Sequence, residues 1–331
     1  MVLTFGEILL RLSPDEESNW LTNNNLNVYP AGAELNVATA LASWKVPVSY
    51  CTAVPQNFLS AQLVKKIESR NIDTSTIIHY GNKTGLYYLP EKKEVQASDI
   101  IYDKQHSSFF ELKTGVIDWE KALQGIRWFH FSAVSACLNE NVAAVYEEAL
   151  NVCAKRSITV SVDLNFRTKL ANAETIMPHL LVHADIIAGN IWSAETILGI
   201  TIPDKIHSIS SRDNYLKQAK NTSDEIMKRF PKCKVVANMF RLHKNNMEYF
   251  ATILGNNRFV SSAAYTTDKI IDEAGSADCF MAGLIYGTYN HLPFQQQVNF
   301  ATGAAFQKLF TKGEGTEKTM DEIKSFILHY H

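Results

Sequence analysis

The 331-residue sequence has few cysteines, and their arrangement suits neither a disulfide framework nor a metal site. The five cysteines stand at positions 51, 137, 153, 233 and 279, and no two of them form a CxxC pair. None of the ten histidines pairs with another at the spacing of metal ligands. An odd number of unpaired cysteines is typical of a reducing compartment. We therefore expect a cytoplasmic protein whose thiols are free.

Long apolar runs and an excess of charge are also missing. No run of 18 apolar residues occurs, and the apolar start of the chain stops at Gly6-Glu7, so we expect neither a membrane span nor a signal peptide. Lysine and arginine total 32 against 34 aspartates and glutamates, which gives a formal net charge of −2. Because the basic residues are scattered, we expect no nucleic-acid partner and no membrane partner.

Two common nucleotide-binding signatures are absent. The sequence has no GxxxxGK[ST] motif, which excludes a P-loop. It has no GxGxxG motif after a predicted strand either, which disfavours a dinucleotide-binding fold.

The apolar pattern that is present predicts one large α/β domain spanning residues 1–331. From residue 118 onwards, strand-like and helix-like segments alternate, which predicts βαβ units and a mostly parallel sheet with helices on both faces. The predicted strands of this part are 127–132, 158–163, 185–189 and 234–240.

The region before residue 110 has a different pattern. Short β-like segments at 77–80, 84–89 and 99–102 follow one another without intervening helices. They predict a small sheet apart from the main one. Residues 201–214 form a polar insertion with no clear periodicity.

The turn Asp272–Asp278, which precedes a predicted helix, is the best candidate for an active site. Its small residues, from Ala274 to Ala277, let backbone N–H groups approach one point, and the helix N-terminus adds partial positive charge. Asp278 would lie in the first helical turn, where a carboxylate could take a proton from a substrate hydroxyl. The alternative is that Asp278 only complements the helix dipole.

Polar clusters at the ends of other predicted strands point to the same region. They are Gly32–Asn36, Asp163–Arg167 and Gly189-Asn190. In a parallel α/β sheet, ligands bind beyond the carboxyl ends of the strands. We therefore expect these clusters to converge with the turn on one site.

Taken together, five stretches of the chain resemble the ribokinase-like (PfkB) family of sugar kinases, and within it the 2-keto-3-deoxygluconate (KDG) kinases. Each stretch is weakly specific, but their order and spacing cover nearly the whole chain. The stretches are Gly6–Ser13, Ala31–Ala38, Gly85–Tyr88 with Ile101–Lys104, Asp163–Arg167, and Asp272–Gly283.

The resemblance implies a doubly wound α/β domain with a small β-sheet lid, formed by segments at approximately 10–30 and 80–112. It also implies ATP-dependent phosphorylation of a sugar-acid hydroxyl. Asp278 would be the base, and the backbone amides of Gly275, Ser276, Ala277 and Asp278 would form the anion hole for the γ-phosphate. The implied partners are a sugar acid, ATP, Mg²⁺ and a monovalent cation. The apolar and aromatic content of the lid segments separately predicts a homodimer in which a second subunit covers the lid.

The resemblance assigns further residues to the two ligands. On the substrate side it places Gly32, Ala33, Asn36, Tyr87, Tyr102, Lys104 and Arg167. On the nucleotide side it places Asn190, Arg241, Gly275 and Ala277, with Glu195 supporting Mg²⁺ through water. The alternatives for these residues are structural: strand packing for the tyrosines, a helix start for Asn36 and a surface ion pair for Arg167.

The chain also departs from the family pattern, mostly on the nucleotide side. Ala277 replaces a usual glycine, where a positive φ would strain it, and Glu273 stands where many KDG kinases carry arginine. Residues 191–193 supply no carboxylate for Mg²⁺, and Lys104 replaces a common arginine. Two alternatives follow: a catalytically weak or inactive sugar-acid-binding relative, and a kinase for a neutral sugar such as fructose, ribose or a nucleoside.

Overall fold

The computed structural model describes residues 1–14, 20–21, 25–90, 100–165, 172–203, 206, 211–243 and 246–330. In these ranges the strands are β1 (Val2–Phe5), β2 (Leu9–Pro14), β3 (Leu26–Ala31), β4 (Val48–Cys51), β5 (Ala53–Val54), β6 (Ile78–His79), β7 (Gly85–Tyr88), β8 (Ile101–Asp103), β9 (Trp128–Ser132), β10 (Thr159–Asp163), β11 (Ile186–Gly189), β12 (Val235–His243), β13 (Met247–Gly255), β14 (Arg258–Ser261) and β15 (Tyr265–Thr267). The helices are α1 (Ala33–Ser43), α2 (Phe58–Glu68), α3 (Trp119–Ala122), α4 (Ala133–Ala136), α5 (Glu140–Lys155), α6 (Ala173–Leu181), α7 (Ile191–Leu198), α8 (Arg212–Arg229), α9 (Ser276–Tyr289), α10 (Phe294–Lys308) and α11 (Met320–His329).

The described strands form a nine-stranded main sheet in the order β14-β13-β12-β11-β10-β9-β1-β4, with β15 paired to β13. All pairings from β4 through β12 are parallel. The remaining three pairings, all made by β13, are antiparallel. The predicted mostly parallel sheet is confirmed.

Two hydrophobic cores cover the two faces of this sheet. In β1, Val2 packs in one core with helices α1, α9 and α10, whereas Leu3 and Phe5 pack in the other core with α5 and α6. This division follows from the alternation of side chains along a strand. Helices therefore lie on both faces, as expected for a ribokinase-like fold.

A second, four-stranded sheet has the order β3-β2-β7-β8 and is hereafter called the lid. The predicted strands at 84–89 and 99–102 lie in it, as β7 and β8. The assignment of 77–80 to this sheet was wrong. Ile78 instead pairs in parallel with Ala53, in a two-stranded sheet of its own, because its N–H donates to the carbonyl of Thr52.

Other expectations have mixed outcomes. All five cysteines are free and buried. Among the described helices, none combines the length and the apolar character needed to cross a membrane. In the polar insertion, α8 already begins at Arg212, and residues 204–205 and 207–210 lie outside the described ranges. The single-domain assignment and the cytoplasmic location stay predictions.

Candidate active site

A cavity of about 400 Å³ is lined both by the lid and by residues at the carboxyl ends of the parallel strands. Asp163 is the last residue of β10, Gly189 is the last residue of β11, and Asn190 comes directly after it. Most of the predicted site residues line this cavity, namely Gly32, Ala33, Asn36, Tyr87, Tyr102, Lys104, Asn190, Arg241, Gly275, Ala277 and Asp278. The expected convergence of the polar clusters is thus observed for the described residues.

Asp278 is held in the cavity wall by two side-chain amides. It lies in the first turn of α9 and is 7 % exposed. Its Oδ2 accepts a hydrogen bond of 2.7 Å from Nδ2 of Asn36, and its Oδ1 accepts one of 3.3 Å from Nδ2 of Asn165. Because one amide comes from α1 and the other from the end of β10, both oxygens have defined directions. The carboxylate is therefore oriented to accept a proton.

Gly275 gives the turn before α9 its shape. Its φ is 75°, in the left-handed region, and a Cβ atom there would lie 1.8 Å from the carbonyl oxygen of Glu314. Only glycine satisfies both constraints. Ala277, by contrast, lies inside α9 and has no positive φ. The strain expected at Ala277 is therefore absent.

The start of α1 is fixed by a buried carboxylate. Glu34 accepts hydrogen bonds at Oε1 from the N–H and the hydroxyl of Ser132, and at Oε2 from Oγ of Ser135 at 2.9 Å. Burial raises the pKa of Glu34 to about 7, although these hydrogen bonds act in the opposite direction. Ser135 lines the cavity, so Glu34 connects the helix that carries Asn36 to the cavity wall.

Gly32, which caps the N-terminus of the same helix, is another position where a side chain cannot be accommodated. Its φ is 138°, and a Cβ atom would lie 2.3 Å from the carbonyl oxygen of Glu7. The helix can therefore start directly against the segment between β1 and β2 that carries Glu7.

The lid contributes two aromatic rings and one positive charge to the cavity. The ring centroids of Tyr87 and Tyr102 are 5.8 Å apart, and Nζ of Lys104 lies 4.9 Å from the centroid of Tyr102. The same Nζ is 3.3 Å from Oε2 of Glu7, whose Oε1 accepts a hydrogen bond of 2.6 Å from Ser107. Burial raises the pKa of Glu7, and Lys104 opposes that shift. Lys104 thus reaches the cavity already paired with a carboxylate.

A buried ion cluster lies behind the turn. Arg11 of lid strand β2 has no exposed surface, and its Nη1 contacts Oδ2 of Asp272 at 2.8 Å and Oε1 of Glu314 at 3.0 Å. Burial alone would lower the pKa of Arg11, but Glu314 and Asp272 outweigh it and raise the pKa above the ordinary value. The hydroxyl of Tyr87 also donates to Glu314 Oε1. The cluster therefore joins the lid to the turn that precedes α9.

Elsewhere at the cavity edge, Glu273 faces two basic side chains. Its Oε2 lies 3.6 Å from Nη1 of Arg241, and its Oε1 lies 3.2 Å from Nε2 of His243. Glu273 is 2 % exposed, whereas more than a third of the Arg241 side chain is exposed. The negative charge that replaces the usual arginine is thus placed beside basic groups at the cavity edge.

Three predicted residues are not brought to the cavity by the described structure. Ser276 is buried, its hydroxyl donates to the carbonyl of Ala305 at 3.0 Å, and its backbone N–H donates to the carbonyl of Glu273 at 3.3 Å, so both of its donors already have partners. Glu195 lines a separate cavity, and its Oε1 accepts a hydrogen bond from Ile202 N–H at 3.3 Å, which counts against its expected support of Mg²⁺. Arg167 lies outside the described residues.

The described part of the chain contains no group of three His, Cys, Asp or Glu residues able to hold a metal ion. The oxygen donors at the strand ends, such as those of Asp163 and Asn165, nevertheless have the chemistry that Mg²⁺ prefers. A metal bound mainly through substrate phosphates and water needs no more than one or two such carboxylates.

Several residues of the site escaped prediction. Glu7 and Arg11 lie in the stretch Gly6–Ser13, which carries the family resemblance, but no pattern there marks a role for them. Glu314 follows α10 in a short polar segment with no motif. The only available signal was the presence of charged residues in otherwise apolar or glycine-rich surroundings.

A family model for the pfkB family of carbohydrate kinases matches residues 1–320. This chain belongs to that family. Membership makes the protein a carbohydrate kinase, which confirms the enzyme class that the resemblance implied.

Known relatives are similar over much or all of the chain. A 2-dehydro-3-deoxygluconokinase of Bacillus subtilis is 23 % identical over 98 % of this chain and 94 % of that protein. A 2-dehydro-3-deoxygalactonokinase of Haloferax volcanii is 25 % identical, over 51 % of this chain and 53 % of that protein. The crystal structure of a 2-dehydro-3-deoxygluconokinase from Thermotoga maritima has a TM-score of 0.89 and 29 % identity, and covers 99 % of this chain and 98 % of that one. At these identities the family and the fold are shown, but the sugar is not.

The raised pKa of Glu34 leads to a prediction about stability. Unfolded Glu34 loses its proton near pH 4.5, whereas the folded protein holds that proton up to about pH 7. The stabilisation is therefore complete below the unfolded value and is lost as pH rises through the folded value, at a cost of about 3 kcal/mol. Urea denaturation between these pH values should show this decline in the wild-type protein and a flatter profile in Glu34→Gln.

Glu140→Gln is the matched control, because Glu140 also lies in the first turn of a helix but is exposed. Its free energy of unfolding should decline with pH as steeply as that of the wild-type protein. Identical slopes in the wild-type protein and Glu34→Gln would contradict the assignment.

Proposed function

We propose that this pfkB kinase transfers the γ-phosphate of ATP to a hydroxyl of a sugar acid, with 2-keto-3-deoxygluconate as the best candidate. The observation that carries the proposal is the placement of Asp278. It stands at the N-terminus of α9, oriented by Asn36 and Asn165, in the cavity wall beside the glycine turn. This arrangement supplies a base and an anion-binding helix end at one point.

The reaction needs few groups beyond these. Asp278 removes the proton of the substrate hydroxyl while the oxygen of that hydroxyl attacks the γ-phosphorus. The bond from that phosphorus to the β,γ-bridging oxygen breaks, and ADP is released. The backbone N–H groups at the start of α9, other than that of Ser276, stabilise the charge on the transferred phosphoryl group, because Gly275 offers no capping side chain. Phosphoryl transfer depends mainly on such positioning and charge stabilisation.

The substrate side is supported by the lid and by α1. Tyr87 and Tyr102 present an aromatic pair with hydroxyls, and Lys104 offers a positive charge to an acid group. Gly32 and Asn36 would lie against the sugar from α1. Arg167, outside the described residues, remains the candidate for bidentate binding of the substrate carboxylate.

On the nucleotide side, we assign the edge near Asn190, Arg241 and Ala277 to ATP. Asp163 is our candidate for supporting Mg²⁺, which when bound would neutralise phosphate charge. We do not include a monovalent cation. The carboxylate of Asp272, beneath the turn, is already paired with Arg11, and the buried Lys308 adds a second positive charge close by.

A second candidate function, sugar-acid binding with little or no turnover, is favoured by Glu273. Its carboxylate lies within the turn that would receive the γ-phosphate. If Arg241 and His243 do not offset that charge, it would repel ATP. The two functions differ in their response to Mg-ATP, because any ligand that binds the folded state raises its apparent stability.

The role of Asp278 can be tested by Asp278→Asn. We expect turnover to fall by at least about 100-fold, because the amide cannot accept the proton, with little change in the affinity for the sugar acid. ADP release measures the first quantity and thermal shift with the sugar acid the second. Asp321→Asn is the control, since Asp321 also lies in the first turn of a helix, on the exposed side of α11. Equal turnover in both variants would mean that Asp278 only complements the helix dipole.

The substrate can be tested with a panel containing 2-keto-3-deoxygluconate, 2-keto-3-deoxygalactonate, fructose and ribose. We expect kcat/KM for at least one acid to exceed that for each neutral sugar, because Lys104 compensates the substrate charge. Mg-ATP should also raise the melting temperature. Equal rates with neutral sugars would support the neutral-sugar alternative, and a shift with the acid but not with Mg-ATP would support the binding protein.

We also propose a homodimer through the lid. Its exposed apolar side chains include Leu26, Val28 and Ile101, with exposed fractions of 39 %, 53 % and 64 %. Apolar side chains of this extent on a small sheet usually find a partner. We expect light scattering to give twice the mass of one chain, and Val28→Lys to shift the mass towards the monomer. A monomer mass for the wild-type protein would contradict the proposal.

A further inference from the structure

Glu314 contacts three elements that line or support the site, β2, β7 and α1. It lies in the segment between α10 and α11, 7 % exposed, and lines the cavity. Its Oε1 accepts from the hydroxyl of Tyr87 and from Nη1 of Arg11 at 3.0 Å. Its Oε2 accepts from Nδ2 of Asn36 at 3.4 Å. One carboxylate thus connects lid strands β2 and β7 to α1.

The contact with Asn36 extends to Asp278. The same Nδ2 that approaches Glu314 at 3.4 Å donates to Asp278 Oδ2 at 2.7 Å. An amide nitrogen carries two hydrogens, so Asn36 can direct one to each carboxylate. Glu314 therefore fixes the rotation of the amide that orients Asp278.

The backbone of Glu314 constrains the anion-binding turn as well. Its carbonyl oxygen lies directly against Gly275, where a Cβ atom would approach within 1.8 Å. The neighbouring Gly313 N–H donates to Oδ2 of Asp272 at 3.1 Å. The carbonyl of Glu314 therefore constrains the turn before α9, while its side chain contacts the lid and α1.

The negative charge of Glu314 is balanced by Arg11, whose guanidinium is fully buried between Glu314 and Asp272. A carboxylate that only neutralised Arg11 would not need its second oxygen directed at Asn36. We propose that Glu314 is a positioning residue, which holds Tyr87 in the substrate wall and, through Asn36, aims Asp278 at the substrate hydroxyl. This inference rests on the proposed kinase function.

Glu314→Gln is the sharpest test, because it keeps the size of the side chain and converts one acceptor oxygen into a donor. In one amide orientation the new NH₂ group faces Asn36 Nδ2, and in the other it faces Tyr87 and Arg11. Each orientation opposes donor to donor.

We expect kcat to fall and KM for the sugar acid to rise, each roughly tenfold, while KM for ATP stays within about twofold. A merely structural role would lower kcat through the fraction of folded enzyme and leave both KM values unchanged. Glu317→Gln, three residues along the same segment and 82 % exposed in its side chain, is the control and should behave as the wild-type protein.

Tyr87→Phe supplies an independent test should Glu314→Gln fold poorly, as judged by its melting temperature. It removes the hydroxyl that donates to Glu314 but keeps the ring, and Tyr88→Phe, on the opposite side of the same strand, is its control. We expect Tyr87→Phe to raise KM for the sugar acid. Combined with Glu314→Gln, it should add little further change, because both variants break the same contact.

The outcomes separate this inference from the proposed function. If the wild-type enzyme phosphorylates a sugar acid but Glu314→Gln and Tyr87→Phe leave its KM within about twofold, the positioning role is wrong. If the wild-type protein shows no turnover, the kinase function is wrong. The thermal shift with the sugar acid then tests whether Glu314 holds the substrate wall. Loss of that shift in Glu314→Gln but not in Glu317→Gln would support the contact with the substrate wall. A shift retained in Glu314→Gln, or no shift in the wild-type protein, would overturn it.

Discussion

The pairing of the buried Arg11 guanidinium with Asp272 and Glu314 is the interaction on which the geometry of the cavity depends. Arg11 comes from the lid, Asp272 from the turn before α9, and Glu314 from the segment after α10. Removing one member of such a cluster typically costs about 3–5 kcal/mol, because the remaining charges stay buried without compensation. The lid is therefore attached to the end of the domain where α9 begins by a charge cluster as well as by apolar packing.

The same principle of local charge balance recurs around the cavity. Glu7 lies against Lys104, and Glu273 lies against Arg241 and His243. An anionic ligand thus meets basic side chains that already have partners. Binding must exchange one partner for another, so affinity reflects a difference between two ion pairs. For the proposed sugar-acid substrate, selectivity over a neutral sugar would follow from the same difference.

Most of the fold follows from the sequence because burial imposes strong periodicity on long elements. The alternation of apolar segments after residue 118 gives the parallel sheet, and small residues before α9 mark the turn. The short strand β6 was misplaced, since two residues carry no register information and backbone hydrogen bonds to β5 decide its partner. Periodicity fails where tertiary contacts replace it.

Without the family resemblance, which supplied lid residues such as Tyr87, Tyr102 and Lys104, the site was predictable only where the backbone conformation restricts the residue type. Gly275 and Asp278 could be identified because a glycine turn and a helix end have a local signature. Arg11 and Glu314 could not, because their partners are 261 and 303 residues away in the chain and single charges carry no information about distant partners. Glu195 was expected near Mg²⁺, but its carboxylate accepts a hydrogen bond from the N–H of Ile202 and lines a separate cavity, a tertiary contact that the sequence does not reveal.

The burial of all five cysteines has a practical consequence for spectroscopy. Burial raises the pKa of each thiol to about 12, so thiolate, the form that reacts with maleimides, is scarce at neutral pH. The native chain thus offers a quiet background for labelling without prior removal of its own thiols. A cysteine introduced at the exposed Phe58 and another at the exposed Val28 would carry a fluorophore pair that reports the distance between the main domain and the lid.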